Sequence, residues 1–170
     1  MLRAGGFKSI KDAIDWYRKS ADQGFSGAQF NLGVIYDTGK GVPKDKAEAA
    51  RFYLLAAEQG VKEAMCNLGC ILLKGASGIE KNEVEAVRWF KNASDLNCPY
   101  GQNSLASCYL KGRGIKKDKD EAFRLYKLSA EQGYARARQN LSLCYEKGKG
   151  VPVDKDEAER WLKFSESGFL

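Results

Sequence analysis

The residues of this chain that could do chemistry recur at nearly constant intervals. Three asparagines share one position of a repeating pattern, three lysines share another, and a serine fills the gap between two of the asparagines: Asn31, Asn67 and Asn140; Lys74, Lys111 and Lys147; Ser104. An amide both donates and accepts hydrogen bonds. The asparagines can therefore hold a ligand, or they can tie neighbouring helices together.

The composition gives little support to catalysis. The 170 residues include no histidine, which removes the usual general base, the usual activator of a serine or cysteine nucleophile and the commonest metal ligand. Acidic pairs such as Asp118 with Glu121 and Asp154 with Glu157 are spaced as in the first turn of a helix, where the helix dipole favours carboxylates. We expect neither an enzyme nor a bound cofactor.

Five cysteines could suggest metal binding or disulfides: Cys66, Cys70, Cys98, Cys108 and Cys144. Cys108 and Cys144 occupy a position that holds Ile35 and Ile71 elsewhere, which favours a buried apolar role. Cys66 and Cys70 would supply two zinc ligands, and nothing nearby in sequence supplies the other two. We expect reduced thiols and no metal site.

Charge and hydropathy limit the possible partners. The formal net charge is +6, and only residues 111–119 form a mild basic stretch, which acidic residues interrupt. A nucleic-acid binder would need its basic residues clustered on one face. The sequence has no apolar run of about 18 residues and no secretory signal. We expect no membrane insertion and, with reduced thiols, a cytoplasmic protein.

Paired helices must position these residues. Ala28, Ala64, Gly101 and Ala137 share one register, at intervals of 36, 37 and 36 residues by subtraction. A period in this range indicates a solenoid of stacked units. The first helix of each unit carries an apolar stripe, with a small residue such as Gly33 where another helix can approach. A Gly-x-Gly triplet, which we call the glycine triplet and which spans residues 39–41 in the first unit, ends this first helix.

The second helix of each unit begins at a capping residue. Asp45 is followed three residues later by Glu48, a capping-box signature that recurs at 82 and 85, 118 and 121, and 154 and 157. Large residues fill the middle of the stripe that follows, which predicts closely packed helical hairpins. Trp89 and Trp161 are expected to be buried.

The pattern divides the chain into one solenoid domain, residues 1–170. It has a half repeat at 7–24 and full repeats at 28–60, 64–97, 101–133 and 137–170. The last hairpin lacks the polar capping helix that terminal repeats normally need. We therefore expect a segment of a longer protein, or ends covered by a partner or by a second copy.

At residues 28–60 the motif A-x3-LG-x2-Y-x2-G-x-GV-x2-D-x3-A-x2-[WF]-Y-x2-AA-x2-G resembles the Sel-one-like repeat (SLR), a relative of the tetratricopeptide repeat. The second unit departs from it mildly, with Leu72 for the aromatic residue and Asn82 for aspartate. The resemblance implies an all-α fold, a right-handed α/α superhelix of about four and a half repeats. It also implies a non-catalytic adaptor or scaffold for protein complexes.

Carried over by register, the resemblance places partner binding on the concave face, lined by the first helix of each unit. The residues implied there are Phe30, Asn31, Val34 and Asp37; Cys66, Asn67 and Cys70; Asn103, Ser104 and Ser107; and Gln139, Asn140 and Leu143, with Leu73, Leu110 and Glu146 in the same pattern.

Lys74, Lys111 and Lys147 end the first helices, where they either satisfy helix carbonyls or form a basic rim that selects an acidic peptide. The function expected is binding of a protein segment along the concave groove. Two alternatives stay open: a structural spacer or self-association module, including a homodimer through the array ends, and a helical-repeat nucleic-acid binder. For the last, Phe30 is the one inward aromatic residue in the pattern.

Overall fold

The computed structural model describes residues 9–167 and the side chains of residues 9–164. This part of the chain forms nine α-helices of 13 residues each: α1 (Ile10–Asp22), α2 (Ser26–Thr38), α3 (Lys46–Glu58), α4 (Lys62–Lys74), α5 (Glu83–Asp95), α6 (Pro99–Lys111), α7 (Lys119–Glu131), α8 (Ala135–Lys147) and α9 (Lys155–Ser167). Between residues 9 and 167 the only extended pairing is an isolated bridge of Ala76 with Ile79. The predicted all-α fold is confirmed.

The helices stack in sequence order as a solenoid. The tightest pairs are α2 with α3, α4 with α5, α6 with α7 and α8 with α9, and each pair packs on the next. In addition α4 contacts α6 and α6 contacts α8, whereas no comparable contact joins α5 to α7 in the described residues. The first helices therefore converge on an inner face, and the second helices form the outer layer.

The helix starts are capped as predicted. Asp45, Asn82, Asp118 and Asp154 each accept a hydrogen bond from the backbone N–H three residues later. The glutamates at those later positions do not reach back as the capping-box pattern predicts. Each pairs instead with an arginine one turn further on, as Glu48 does with Arg51 and Glu121 with Arg124. The backbone N–H of each capping residue already donates to a carbonyl of the preceding first helix, as Asp45 does to Tyr36, so it is not available to the glutamate.

The close approach of paired helices follows from small residues on the first helix. A Cβ atom on Gly33 would lie 2.5 Å from a ring carbon of Tyr53, and one on Gly69 would lie 2.6 Å from Phe90. Of the two tryptophans expected in the core, Trp89 is 5% exposed and confirms the prediction. Trp161 is only half-buried, because no helix within the described residues covers the outer side of α9.

The glycine triplets do more than end a helix. Gly39, Gly112 and Gly148 are left-handed C-caps, as predicted. The second glycine of a triplet contacts the preceding repeat: a Cβ on Gly114 would lie 2.1 Å from the carbonyl oxygen of Glu83, and one on Gly150 would lie 2.1 Å from that of Lys119. These glycines let each loop rest on the start of the previous outer helix.

Candidate interaction groove

A groove of about 490 Å³ runs along the inner face where α4, α6 and α8 meet. We call it the central groove. Its wall and floor comprise Cys70, Leu73, Lys74, Phe90, Tyr100, Asn103, Ser104, Ser107, Leu110, Lys111, Tyr126, Arg136, Asn140, Leu143, Cys144 and Lys149. Three successive first helices supply most of them, because residues spaced three and four apart on a helix share one face.

Asparagines tie the first helices together inside this groove. The side-chain N–H of Asn140 donates to the side-chain oxygen of Asn103 at 2.8 Å, which joins α8 to α6. Asn103 is 5% exposed, so this bond satisfies a buried amide. Asn67 lines an adjoining pocket with Asp37, and the Tyr53 hydroxyl of the preceding repeat donates to the Asp37 carboxylate at 3.4 Å. The helix-tying role is therefore realised at Asn140.

The central groove carries positive charge from three repeats. Lys74, Lys111, Arg136 and Lys149 line it, and no aspartate or glutamate does within the described residues. A smaller pocket of about 230 Å³ adjoins it on the α2 side and shares Cys70, Lys74 and Tyr100 with it. The Asp37 carboxylate in that pocket forms an ion pair with Lys46.

Burial raises the pKa values of several tyrosine and cysteine side chains that line the groove. It raises the pKa of Tyr126 to about 12, although a hydrogen bond with Ser107 opposes the shift. Burial also raises the pKa of the Cys144 thiol to about 11. The Tyr100 hydroxyl lies 2.8 Å from the Cys70 sulfur, and burial together with that contact raises the pKa of Tyr100. These groups are neutral near pH 7, so the lysine and arginine side chains determine the electrostatic potential in the groove.

The structure joins none of the five cysteines in a disulfide. The Cys66 and Cys98 sulfurs lie 3.7 Å apart in the core between the second and third repeats. The contact with Cys66, assisted by the backbone N–H groups of Gly101 and Tyr100, lowers the pKa of Cys98. Within the described residues, no cluster of three or more metal-ligating side chains forms.

The structure gathers only some of the predicted site residues into the central groove. Those lining it are Cys70, Asn103, Ser104, Ser107, Asn140 and Leu143, with Lys74 and Lys111 of the proposed rim. Asp37 and Asn67 line the adjoining pocket. Cys66 is fully buried, and Phe30 and Val34 pack against the core beside it. Gln139 and Lys147 are exposed and do not line the groove. Asn31 lines pockets beside α1.

Sequence reasoning missed Tyr100, Arg136 and Lys149 on the groove wall, and it assigned the buried floor residues Phe90, Tyr126 and Cys144 to the core. Tyr100 lies four residues before Ser104, and Arg136 lies four residues before Asn140, so helical spacing from the predicted residues could have found both. Lys149 is the middle residue of a Gly-Lys-Gly triplet, and nothing in that pattern indicates that its side chain faces the groove.

Comparisons with known proteins agree with this architecture. A sequence model of the family described as the Sel1 repeat matches residues 2–25, 26–61, 62–98, 99–134 and 135–165. A crystal structure of a Sel1 repeat protein from Oxalobacter formigenes is 37% identical, with a TM-score of 0.86 over 96% of this chain and 67% of that one.

Two curated relatives match over shorter stretches. An uncharacterized protein of Neisseria meningitidis serogroup B is 38% identical over 57% of this chain and 20% of its own length. Chitin synthase regulatory factor 3 of Schizosaccharomyces pombe is 32% identical over 55% of this chain and 10% of its own. The chain therefore spans about a tenth to a fifth of the length of these relatives. From residue 9 to 167, none of its helices is long and apolar enough to cross a bilayer.

Proposed function

Because the chain belongs to the Sel1 repeat family, we propose that it is a non-catalytic scaffold whose central groove binds a segment of another protein. Proteins of this family generally serve as scaffolds for protein–protein interaction. One relative bears the name of a regulatory factor, which is compatible with such a role.

The observation that carries the proposal is the composition of the groove wall. Apolar side chains such as Leu110 and Leu143 alternate there with hydroxyl, amide and cationic groups from three repeats. Clefts that bind peptides combine apolar pockets with a few polar groups that fix the main chain. The proposed contact set is therefore the groove-lining part of the predicted face, enlarged by Tyr100, Arg136 and Lys149.

A matched pair of bulky substitutions tests the proposal. Leu143 lies in the groove and Leu128 lies on the outer helix α7, and both are exposed. Leu143→Trp should fill the groove and Leu128→Trp should leave it open. In quantitative affinity capture from the source organism, partner proteins should be lost with the first variant and kept with the second. Circular dichroism and urea unfolding show whether both variants fold. Retention of every partner by both folded variants would place binding outside the groove.

Self-association is a second candidate function. Trp16 and Phe25 are large, exposed and apolar, and both line a pocket of about 680 Å³ beside α1. Large exposed apolar patches often mark interaction sites. Light scattering distinguishes a chain of 18.9 kDa from its dimer. A monomer mass at every accessible concentration would remove this candidate.

A further inference from the structure

We infer that the central groove selects a carboxylate-rich segment of its partner protein. This inference rests on the proposed function and specifies the class of ligand. Four cationic side chains line the groove, Lys74, Lys111, Arg136 and Lys149, and no described carboxylate does. A cleft lined by one sign of charge, with a low-dielectric wall behind it, concentrates the field on whatever enters.

None of the four groove cations forms an ion pair among the residues that the structure describes. The ion pairs of the described residues lie elsewhere, mainly between glutamate and arginine on the outer helices, as in Glu85 with Arg88 and Glu157 with Arg160. Lys74 and Lys111 end α4 and α6, yet within residues 9–164 neither ammonium makes a hydrogen bond to a helix carbonyl. Of the two roles predicted for these lysines, the groove geometry favours the basic rim.

The neighbouring surface differs in charge. Toward α2, the Asp37 carboxylate is neutralised by Lys46. In the α6–α7 loop, Arg113 donates hydrogen bonds to the Glu83 carboxylate and to the carbonyl of Leu73. The groove lining thus combines four cations with no described carboxylate, which fixes where an acidic segment gains most from binding.

The groove wall suits a peptide better than a nucleic acid. Bases bind single-strand sites by stacking on accessible aromatic faces. Phe90 and Tyr126 are buried, and the half-buried Tyr100 is engaged by Cys70 through its hydroxyl. Three leucines, Leu73, Leu110 and Leu143, provide apolar contacts instead. The matching ligand is an extended segment in which acidic residues are interspersed with apolar ones.

Synthetic peptides provide the test. The probe is a fluorescent, end-blocked nonapeptide of three Glu-Leu-Glu units, compared with the same peptide carrying glutamine for glutamate. Binding to the whole 170-residue chain is measured by anisotropy, with a nine-nucleotide oligothymidylate as a second anion. The double variant K111Q/R136Q removes two groove charges, and K91Q/K127Q removes two exposed charges from the outer helices α5 and α7. Both variants therefore carry the same net charge.

The acidic peptide should bind more tightly than its glutamine counterpart, and K111Q/R136Q should weaken its binding about tenfold, since each of the two lost exposed charge pairs contributes about threefold. K91Q/K127Q should bind like the parent chain. Equal binding of the two peptides, equal loss in both double variants, or tighter groove binding of the oligonucleotide would each overturn the inference. If L143W still abolishes partner capture in that case, the scaffold function stands and only the acidic preference fails.

Discussion

At the scale of single residues, Asn140 belongs both to the groove wall and to the packing between repeats. Its side-chain N–H bonds to Asn103 at 2.8 Å across α6 and α8. The register of Asn31, Asn67 and Asn140 is visible in the sequence, but the partner of each amide is not. Asn140 bonds to an asparagine at a different register position, one that holds phenylalanine, cysteine or glutamine in the other repeats.

This bond yields a prediction about stability. Asn140→Ala leaves the nearly buried Asn103 amide without its donor, so the free energy of unfolding should fall by about 1–2 kcal/mol. Gln139→Ala removes an exposed neighbour on the same helix and should change it by less than about 0.5 kcal/mol. Urea unfolding followed by circular dichroism compares the two. Equal midpoints for the variants would show that the amide pair contributes nothing to stability.

At the scale of the helices and loops, short sequence motifs predicted the helix boundaries well but predicted the contacts between repeats poorly. Asp45, Asn82, Asp118 and Asp154 cap their helices through groups within one turn, and such groups are adjacent in sequence. The role of Gly114 depends on the carbonyl of Glu83 in the preceding repeat. Nothing in the triplet itself distinguishes a helix-ending glycine from one that makes room for a neighbouring backbone.

Two alanine substitutions separate backbone strain from this steric role. Gly114 and Gly60 both have positive φ, at +66° and +88°, but a Cβ on Gly60 would have nothing within 4 Å. Gly60→Ala should therefore cost about 1–2 kcal/mol from backbone conformation alone. Gly114→Ala should cost about 1–3 kcal/mol more, because the loop must move away from α5. The measurement is the urea midpoint of each variant. A similar loss for both would mean that the loop can move without cost.

At the scale of the whole molecule, the period of 36 and 37 residues predicts a stacked solenoid but does not fix where its groove lies. The central groove spans α4, α6 and α8, so Asn31 is left beside α1 although its register matches that of Asn140. Small rotations between successive repeats determine which equivalent positions converge. Those rotations depend on packing that the period alone does not encode.

The charge of the groove was predictable only in part. Lys74 and Lys111 were expected from their shared register. Arg136 shares its register with Gly27, Glu63 and Tyr100, so no chemical pattern marks it. Lys149 lies in a loop whose glycines predict only that the preceding helix ends there. A cluster of like charges from different repeats is a property of the assembled solenoid.

The assembled core also predicts how stability responds to alkaline pH. Burial raises the pKa of both the Cys108 and Cys144 thiols from 9.0 to about 11, against the opposing influence of Arg113 and Lys149. The folded state thus favours the neutral thiols. Their contribution is complete below the unfolded pKa near 9 and is lost as the pH rises through about 11.

The free energy of unfolding should therefore decline between pH 9 and 11, and part of that decline should disappear when one thiol is removed. Lysines also titrate in this range, so the informative quantity is the difference between the parent chain and Cys144→Val. Valine keeps the site apolar, in a register that holds isoleucine at Ile35 and Ile71. The free energy of unfolding is obtained from urea unfolding at about pH 8 and at about pH 11. Its fall between these two pH values should be smaller for the variant, by roughly 2–3 kcal/mol at most, since each pKa unit corresponds to about 1.4 kcal/mol. Equal declines would show that Cys144 remains protonated, or is already solvated, across the whole range.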